Sequence, residues 1–303
     1  MKSILQFMKK SEDSFDPKIY VSLSTSNTAA SISQIYDLEG GLITNGPNFI
    51  MDIGGGVHGD SIYSDNEYVY VGGRYNRVVQ EGVLVNRSGF ARFNKDEFLN
   101  NTSPTGDSSL VSGAGPTYTQ VIKPDGNNIY LGGHDSFRLY NKDAWQLLNS
   151  ISVSTSFGSA VVSTVDFDDN YVYIGGNFET VSGQSRNRLA RFNKSNMSLD
   201  SWNPITGTSS FLEVKTINSN NQRLYVGGIS IGSIDGQSSQ NIVIFDKSNM
   251  NFLTSFGTQL INGSHIFNDK VYFATSTGVF TIDENNNYSS IVSLSDCTDI
   301  YVG

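Results

Sequence analysis

The sequence predicts an all-β chain, a six-bladed β-propeller with four-stranded blades. Three observations predict it: two phrases that each recur six times, and two chain ends that read as complementary parts of one sheet. The first phrase is an aromatic, a β-branched or leucyl residue, then Gly-Gly. It stands at Tyr70-Val71-Gly72-Gly73, Tyr130-Leu131-Gly132-Gly133, Tyr173-Ile174-Gly175-Gly176 and Tyr225-Val226-Gly227-Gly228, with degenerate copies at Tyr20-Val21-Ser22-Leu23 and Tyr272-Phe273-Ala274-Thr275. The second is an aromatic or aliphatic residue, Asn or Asp, then usually Lys. It stands at Phe93-Asn94-Lys95, Tyr140-Asn141-Lys142, Phe192-Asn193-Lys194 and Phe245-Asp246-Lys247, and more weakly at Tyr36-Asp37-Leu38 and Ile282-Asp283-Glu284. Each copy of the second follows one copy of the first, so two independent signals give the same count of units.

The unit around residue 163 shows its strands best. Val161–Phe167 is a first run, turned by Asp168-Asp169-Asn170; Tyr171–Gly176 is a second. Arg188–Asn193 alternates as a third, and Ser198–Trp202 follows Lys194–Asn196 as a fourth. Short strands at even spacing with Gly, Asn and Asp turns indicate a barrel, sandwich or propeller, and four strands per repeat of this length favour the propeller. The Gly-Gly pair fits a place where neighbouring sheets approach so closely that a Cβ would collide, or a simple bulge.

The ends suggest how the first blade is completed. Thr298–Gly303 resembles a first strand such as Asp60-Ser61-Ile62-Tyr63, whereas Lys18–Ser22 resembles a second strand without its first. The expectation is a ring closed by Asp299–Val302 beside Lys18–Ser22, with residues 1–17 an N-terminal arm and 18–303 the propeller domain. The unit at 163–204 also resembles the delta-60 type of bacterial β-propeller repeat. Gly175-Gly176-Asn177-Phe178, a Gly-containing loop, Asn187-Arg188-Leu189-Ala190-Arg191 and Asp200-Ser201-Trp202-Asn203-Pro204 carry the likeness, the last being one residue shorter than the family pattern. The match is partial over 59–105 and 211–258 and poor elsewhere. The resemblance implies a propeller found in cell-surface and phage-related proteins, and it carries no catalytic residues.

Composition limits the functions. The chain has 303 residues and a formal charge of −9, so bulk charge does not suit it to a phosphate backbone, and no nucleic-acid partner is expected. Only 16% of residues are charged; 42 Ser, 30 Asn and 30 Gly build a polar surface of small uncharged side chains. One cysteine, Cys297, excludes a disulfide framework and reads as a small buried hydrophobe. No stretch approaches a membrane span. The apolar run in Met1–Lys10 is short and ends at Lys9-Lys10, so it is not read as a secretory signal. Ile4, Leu5, Phe7 and Met8 fit one face of a short helix, and the segment reads either as a frayed tail or as an apolar arm that docks on a partner.

Chemical motifs are sparse. His58, His134 and His265 fall in different units without metal-ligand spacing. Asp166, Asp168 and Asp169 lack the D-x-[DN]-x-[DN]-G pattern and read as turn residues. Gly54-Gly55-Gly56 opens no helix, and no G-x-S-x-G, P-loop or H-E-x-x-H occurs. No catalytic residue, metal or cofactor is expected. Trp145, Trp202, Phe98, Phe252 and Phe256 read as packing between blades.

The segments after Gly-Gly are long in the second, fourth and fifth units (74–92, 177–191, 229–244) and short in the third and sixth. Loops on a rigid scaffold carry binding residues, so this face is the expected functional one, with Arg74, Tyr75, Arg77, Asn177 and Phe178 as contact residues. The expected function is a non-enzymatic virion structural or host-contact propeller, phage capsid- or tail-associated. Its partners would be other virion or surface proteins, or a host glycan or receptor. The alternative is a bacterial cell-surface or secreted adhesin or carbohydrate-binding propeller.

Overall fold

The computed structural model describes residues 3–6, 19–23, 30–36, 42–50, 58–65, 67–80, 83–86, 89–94, 118–156, 158–206, 213–229, 233–257, 259–283, 285 and 287–293. Packing divides the chain into two units, 1–134 with 138–148 and 303, and 135–137 with 149–302. Six antiparallel sheets follow one another along the described chain, with a separate two-stranded hairpin.

In the first sheet β1 (Ser3–Gln6), β2 (Ile19–Leu23), β3 (Ala30–Tyr36) and β4 (Leu42–Ile50) lie in order. The second holds β5 (His58–Ser64), β6 (Tyr68–Arg74) and β9 (Phe90–Asn94). The third holds β10 (Thr119–Asp125), β11 (Asn128–Gly133), β12 (Ser136–Asn141) and β13 (Gln146–Ser154). The fourth holds β14 (Val162–Phe167), β15 (Tyr171–Gly176) and β18 (Leu189–Asn193). The fifth holds β19 (Glu213–Ser219), β20 (Arg223–Ile229), β23 (Ile242–Asp246) and β24 (Phe252–Phe256). The sixth holds β25 (Ile261–Phe267), β26 (Lys270–Thr275), β27 (Gly278–Ile282) and β28 (Tyr288–Ser293).

The long segments after Gly-Gly fold as hairpins. In the second unit β7 (Arg77–Gln80) and β8 (Val83–Asn86) add to the edge of β4, with Asn48 opposite Val79. In the fourth, β16 (Thr180–Val181) and β17 (Gln184–Ser185) add to β13, with Val153 opposite Val181. In the fifth, β21 (Ser233–Ile234) and β22 (Gln237–Ser238) reach back to Ile205 through one bridge. The last two hairpins turn on Ser182-Gly183 and Asp235-Gly236, all four residues at positive φ (49° and 76°; 49° and 80°). That is the type I′ geometry whose twist matches paired strands.

The Gly-Gly pair serves both roles expected of it. A Cβ on Gly175 would strike Val214, and one on Gly227 would lie 2.9 Å from Ile261, so the first glycine lets the next sheet approach. A Cβ on Gly176 would strike the Val161 carbonyl, and one on Gly228 the Glu213 carbonyl. At that point the first strand carries a bulge, between Val162 and Thr164 and between Val214 and Thr216. The apolar layers between sheets follow: Leu189, Ile205, Val214, Leu224, Val226 and Phe245 cluster in one, Ile242, Ile244, Ile261, Val271 and Phe273 in the next. In the other unit Tyr70, Phe90, Ile122, Ile129, Leu131 and Tyr140 form the equivalent cluster.

Three expectations are corrected. Ser3–Gln6 is a strand, not one turn of a docking helix: Ile4 lies opposite Ser22 and Leu5 opposite Val21. With β1 on one edge and β3 on the other, β2 has no edge for Asp299–Val302. A nearby segment satisfies the backbone groups that the distant C-terminus was expected to pair. Asp299–Val302, Cys297, Phe7 and Met8 lie outside the described residues. The expected fourth strand Ser198–Trp202 shrinks to the bridge Phe192–Leu199. Asp200 Oδ1 accepts the Trp202 N–H at 2.8 Å and the Arg191 guanidinium at 2.7 Å, which turns the chain out of the sheet.

Candidate functional site

The site is built from the second recurring phrase and the turn between each unit's first two strands. In β15 the tyrosine before Gly-Gly is buried, and a phenol buried there needs an acceptor. Tyr173 Oη donates to Asp168 Oδ2 at 2.9 Å. Asp168 Oδ1 accepts the N–H groups of Asn170 and Tyr171, each at 2.8 Å, which closes the hairpin turn. The lysine of the following unit completes the cluster: Lys247 Nζ lies 2.8 Å from Asp168 Oδ2 and donates to the Asn220 carbonyl at 2.7 Å. Burial works to raise the Asp168 pKa, yet Lys247, the two backbone N–H groups and the Tyr173 hydroxyl outweigh it and hold the carboxylate below its usual range. Burial, then the Asp168 charge, pushes the Tyr173 phenol well above its ordinary value.

The other unit repeats the arrangement. Asp65 Oδ1 accepts from Glu67 and Tyr68, and its Oδ2 accepts from Tyr70 Oη at 3.1 Å and Lys142 Nζ at 3.0 Å. Burial opposes ionisation of Asp65 too, but those N–H groups and Lys142 lower its pKa. An arginine roofs each cluster: Arg92 lies over Tyr68 and Trp145, Arg191 over Tyr171 and Trp202, with guanidinium-to-ring distances of 4.1, 5.3, 4.2 and 5.4 Å. The tryptophans pack between sheets as expected, Trp145 stacked at 5.1 Å on both Phe90 and Tyr140, Trp202 edge-on to Phe245 at 5.0 Å.

Beside the Asp168 cluster a polar cleft of about 640 Å³ opens. Its walls are two successive hairpin turns, Asp168-Asp169-Asn170 and Asn220-Asn221-Gln222; Asp246, Lys247 and Ser248 close a third side. Arg223 lines it and lies 3.9 Å from Asp246. The turns between first and second strands, and those after third strands, stand at the end of a sheet opposite the Gly-Gly hairpins, so the cleft is not on the long-loop side.

The chain matches no protein-family model and no curated protein. Solved structures do resemble it. Over 99% of its length it superposes on an extracellular domain of a hybrid two-component system of B. thetaiotaomicron, at TM-score 0.57 and 15% identity, and spans 36% of that domain. It matches the Pan2 WD40 domain of Neurospora crassa over 91% of its length, covering 75% of that chain, at TM-score 0.51 and 11% identity. A chain of the mitotic checkpoint complex matches at TM-score 0.58 and 11% identity, with 93% of this chain and 76% of that one covered. WD40 repeats build propellers. The fold is a β-propeller.

The propeller places the sequence-chosen contact residues unevenly. Arg74 is exposed at the end of β6, and Arg77 is half-buried in β7. Tyr75 and Phe178 are corrected: they are 1% and 0% exposed, core residues that cannot meet a partner. Each stands two residues after Gly-Gly, where the chain turns into a hairpin and the side chain is buried in the core. Tyr75 Oη donates to the Val71 carbonyl at 2.6 Å. Asn177 is tied to backbone: its Oδ1 accepts from Val161 N at 2.6 Å and its Nδ2 donates to Ser159 at 3.3 Å. Buried Arg188 anchors the fourth unit's hairpin by donating to the Phe178 carbonyl at 3.0 Å and lying 3.6 Å from Glu179.

His58 begins β5, His134 packs on Tyr118 at 4.5 Å, and His265 lies in β25. Among the described residues no three His, Cys, Asp or Glu side chains group as metal ligands. Asp168 does the turn chemistry expected of it by accepting from Asn170 and Tyr171, whereas Asp166 is a buried strand residue that accepts from Ser219 Oγ at 2.9 Å. The sequence reading did not pick out Asn220, Asn221, Gln222 and Arg223, and it took Lys247 only as part of a recurring phrase. The signal for them was present, since Asn220-Asn221 stands where Asp168-Asp169 stands in the preceding unit.

Proposed function

We propose that this chain is a non-enzymatic docking module of a virion, a phage capsid- or tail-associated propeller of six blades that contacts other virion proteins or the host. One observation carries the reading. Five large apolar side chains on fourth strands are exposed by 37–53%: Leu147 and Leu148 on β13, Leu253 on β24, and Tyr288 and Ile291 on β28. Exposed apolar side chains on the rims of sheets suit contact with another protein. The cleft carboxylates Asp168 and Asp246 are each engaged by a cation, an arrangement suited to fixing structure more than to moving protons. The resemblance of 163–204 to delta-60 repeats supports the same reading.

The test replaces Leu147, Leu253 and Ile291 one at a time by Glu and follows incorporation of the full chain into particles. Loss of incorporation with an unchanged thermal melt is the expected result. Incorporation of all three at the original level removes the rim from the reading, and absence of the original chain from purified particles removes the virion. A second reading, a bacterial cell-surface or secreted adhesin or carbohydrate-binding propeller, draws on the polar cleft.

A further inference from the structure

We propose that the cleft between the 168–170 and 220–222 turns is a binding site for a short neutral oligosaccharide. The proposal rests on the second reading above, and it assigns the residues and the class of ligand. Size is the first argument: about 640 Å³ lies within the ~300–1,000 Å³ range of ligand sites. Charge is the second. The lining holds Asp168, Asp169 and Asp246 against Arg223 and Lys247. Lys247 is taken by Asp168 at 2.8 Å, and Arg223 faces Asp246 at 3.9 Å, so Asp169 alone is uncompensated. Such a lining favours neither a phosphate nor a multivalent cation.

The third argument is the free hydrogen-bonding capacity. Asp169, Asn170, Asn221 and Gln222 are exposed at the two turn tips, and their side chains have no partner among the described residues. An amide presents a donor and an acceptor side by side, and a carboxylate presents two acceptors. Adjacent hydroxyls, each a donor and an acceptor, are the matching groups, and a sugar ring displays them in fixed pairs. The two turns are held rigid beneath these tips. Asp168 Oδ1 closes one, and Asn220 Oδ1 closes the other by accepting from Gln222 and Arg223 at 3.0 and 2.8 Å. Lys247 ties one turn to the other by bonding Asp168 and the Asn220 carbonyl together. The free side chains therefore stand on a fixed frame, which lowers the ordering cost of binding.

The test applies the labelled full chain to an array of neutral, sialylated and sulfated oligosaccharides, then titrates the best neutral ligand against the chain and against an Asn221→Ala/Gln222→Ala variant. Both residues are exposed, so the variant melts with the original chain. The expected result is binding to a neutral oligosaccharide that weakens about tenfold or more in the variant. Neutral binding that survives the substitutions overturns the cleft assignment while the carbohydrate reading stands. Binding confined to sialylated or sulfated sugars overturns the ligand class. No binding to any sugar overturns both the proposal and the reading beneath it.

Discussion

Replacing Lys247 by Met keeps the stem and removes the ammonium that joins Asp168 to the Asn220 carbonyl. The two side chains of the pair are 12% and 17% exposed. Exposed pairs are worth about 0–1 kcal/mol, whereas breaking a fully buried one costs ~3–5 kcal/mol because a charge is left stranded. Asp168 keeps three other donors, from Asn170, Tyr171 and Tyr173, so the expected loss is about 2–3 kcal/mol. For a unit of this size that lowers Tm by about 5–10 °C. The effect has a pH signature. Asp168 titrates below its unfolded value when folded, so its contribution is present above an unfolded carboxylate pKa of ~3.9 and is lost as pH falls through the folded value. The gap in Tm between the two chains is therefore flat from neutral pH to about pH 5 and shrinks below about pH 4. Calorimetry across that range, with Lys215→Met at the more exposed Lys215–Glu213 pair as control, checks it. Equal melting temperatures at neutral pH, or a gap that persists undiminished at pH 3, refutes the reasoning.

Phe178→Ala should cost about 3–5 kcal/mol, measured by urea denaturation, because the ring is fully buried; a surface contact residue would cost almost nothing. Gly176→Ala should leave the chain largely unfolded or insoluble, because the new methyl meets the backbone carbonyl of Val161, which cannot move aside; circular dichroism of the purified variant decides it. Tyr173→Phe should cost about 1–2 kcal/mol and raise the Asp168 pKa, read from carboxylate chemical shifts against pH. Asp235→Val, which forces a β-branched residue into positive φ, should cost about 1–2 kcal/mol in thermal melts, with little effect from Asp235→Asn.

Strands with strict local signals were legible. Tyr171–Gly176 and Val162–Phe167 fall where the Gly-Gly phrase and the Asp-Asp-Asn turn put them. Tyr75 and Phe178 misled because a segment between two clear strands resembles a solvated loop. Only pairing with the preceding sheet makes it a hairpin, although Ser182-Gly183 and Asp235-Gly236 are two-residue turn signals in plain sight. Ile4 and Leu5 misled differently: four residues are too few to separate helical from strand periodicity, and an open edge of β2 decided between them. The ion pairs joining successive units were illegible as pairs, since Lys142 and Asp65 stand 77 residues apart. Both halves were nonetheless written in the repeat, the lysine in one phrase and the aspartate just before the other. The cleft follows from those pairings and from side chains that repeat logic treats as ordinary turn residues.

The hairpins that reach backward also set the order in which the chain can be finished. The edge of β4 is covered when Arg77–Val79 arrives, the edge of β13 when Thr180-Val181 arrives, and Ile205 gains its bridge when Ile234 arrives, so these units wait for residues of the next. On a ribosome the first and third sheets would each stand with an open edge until the hairpin of the following repeat emerged, the interval in which strand edges invite wrong partners. A chain cut just after β13 would thus leave the third sheet unprotected, while a cut placed just after β17 would leave it sealed.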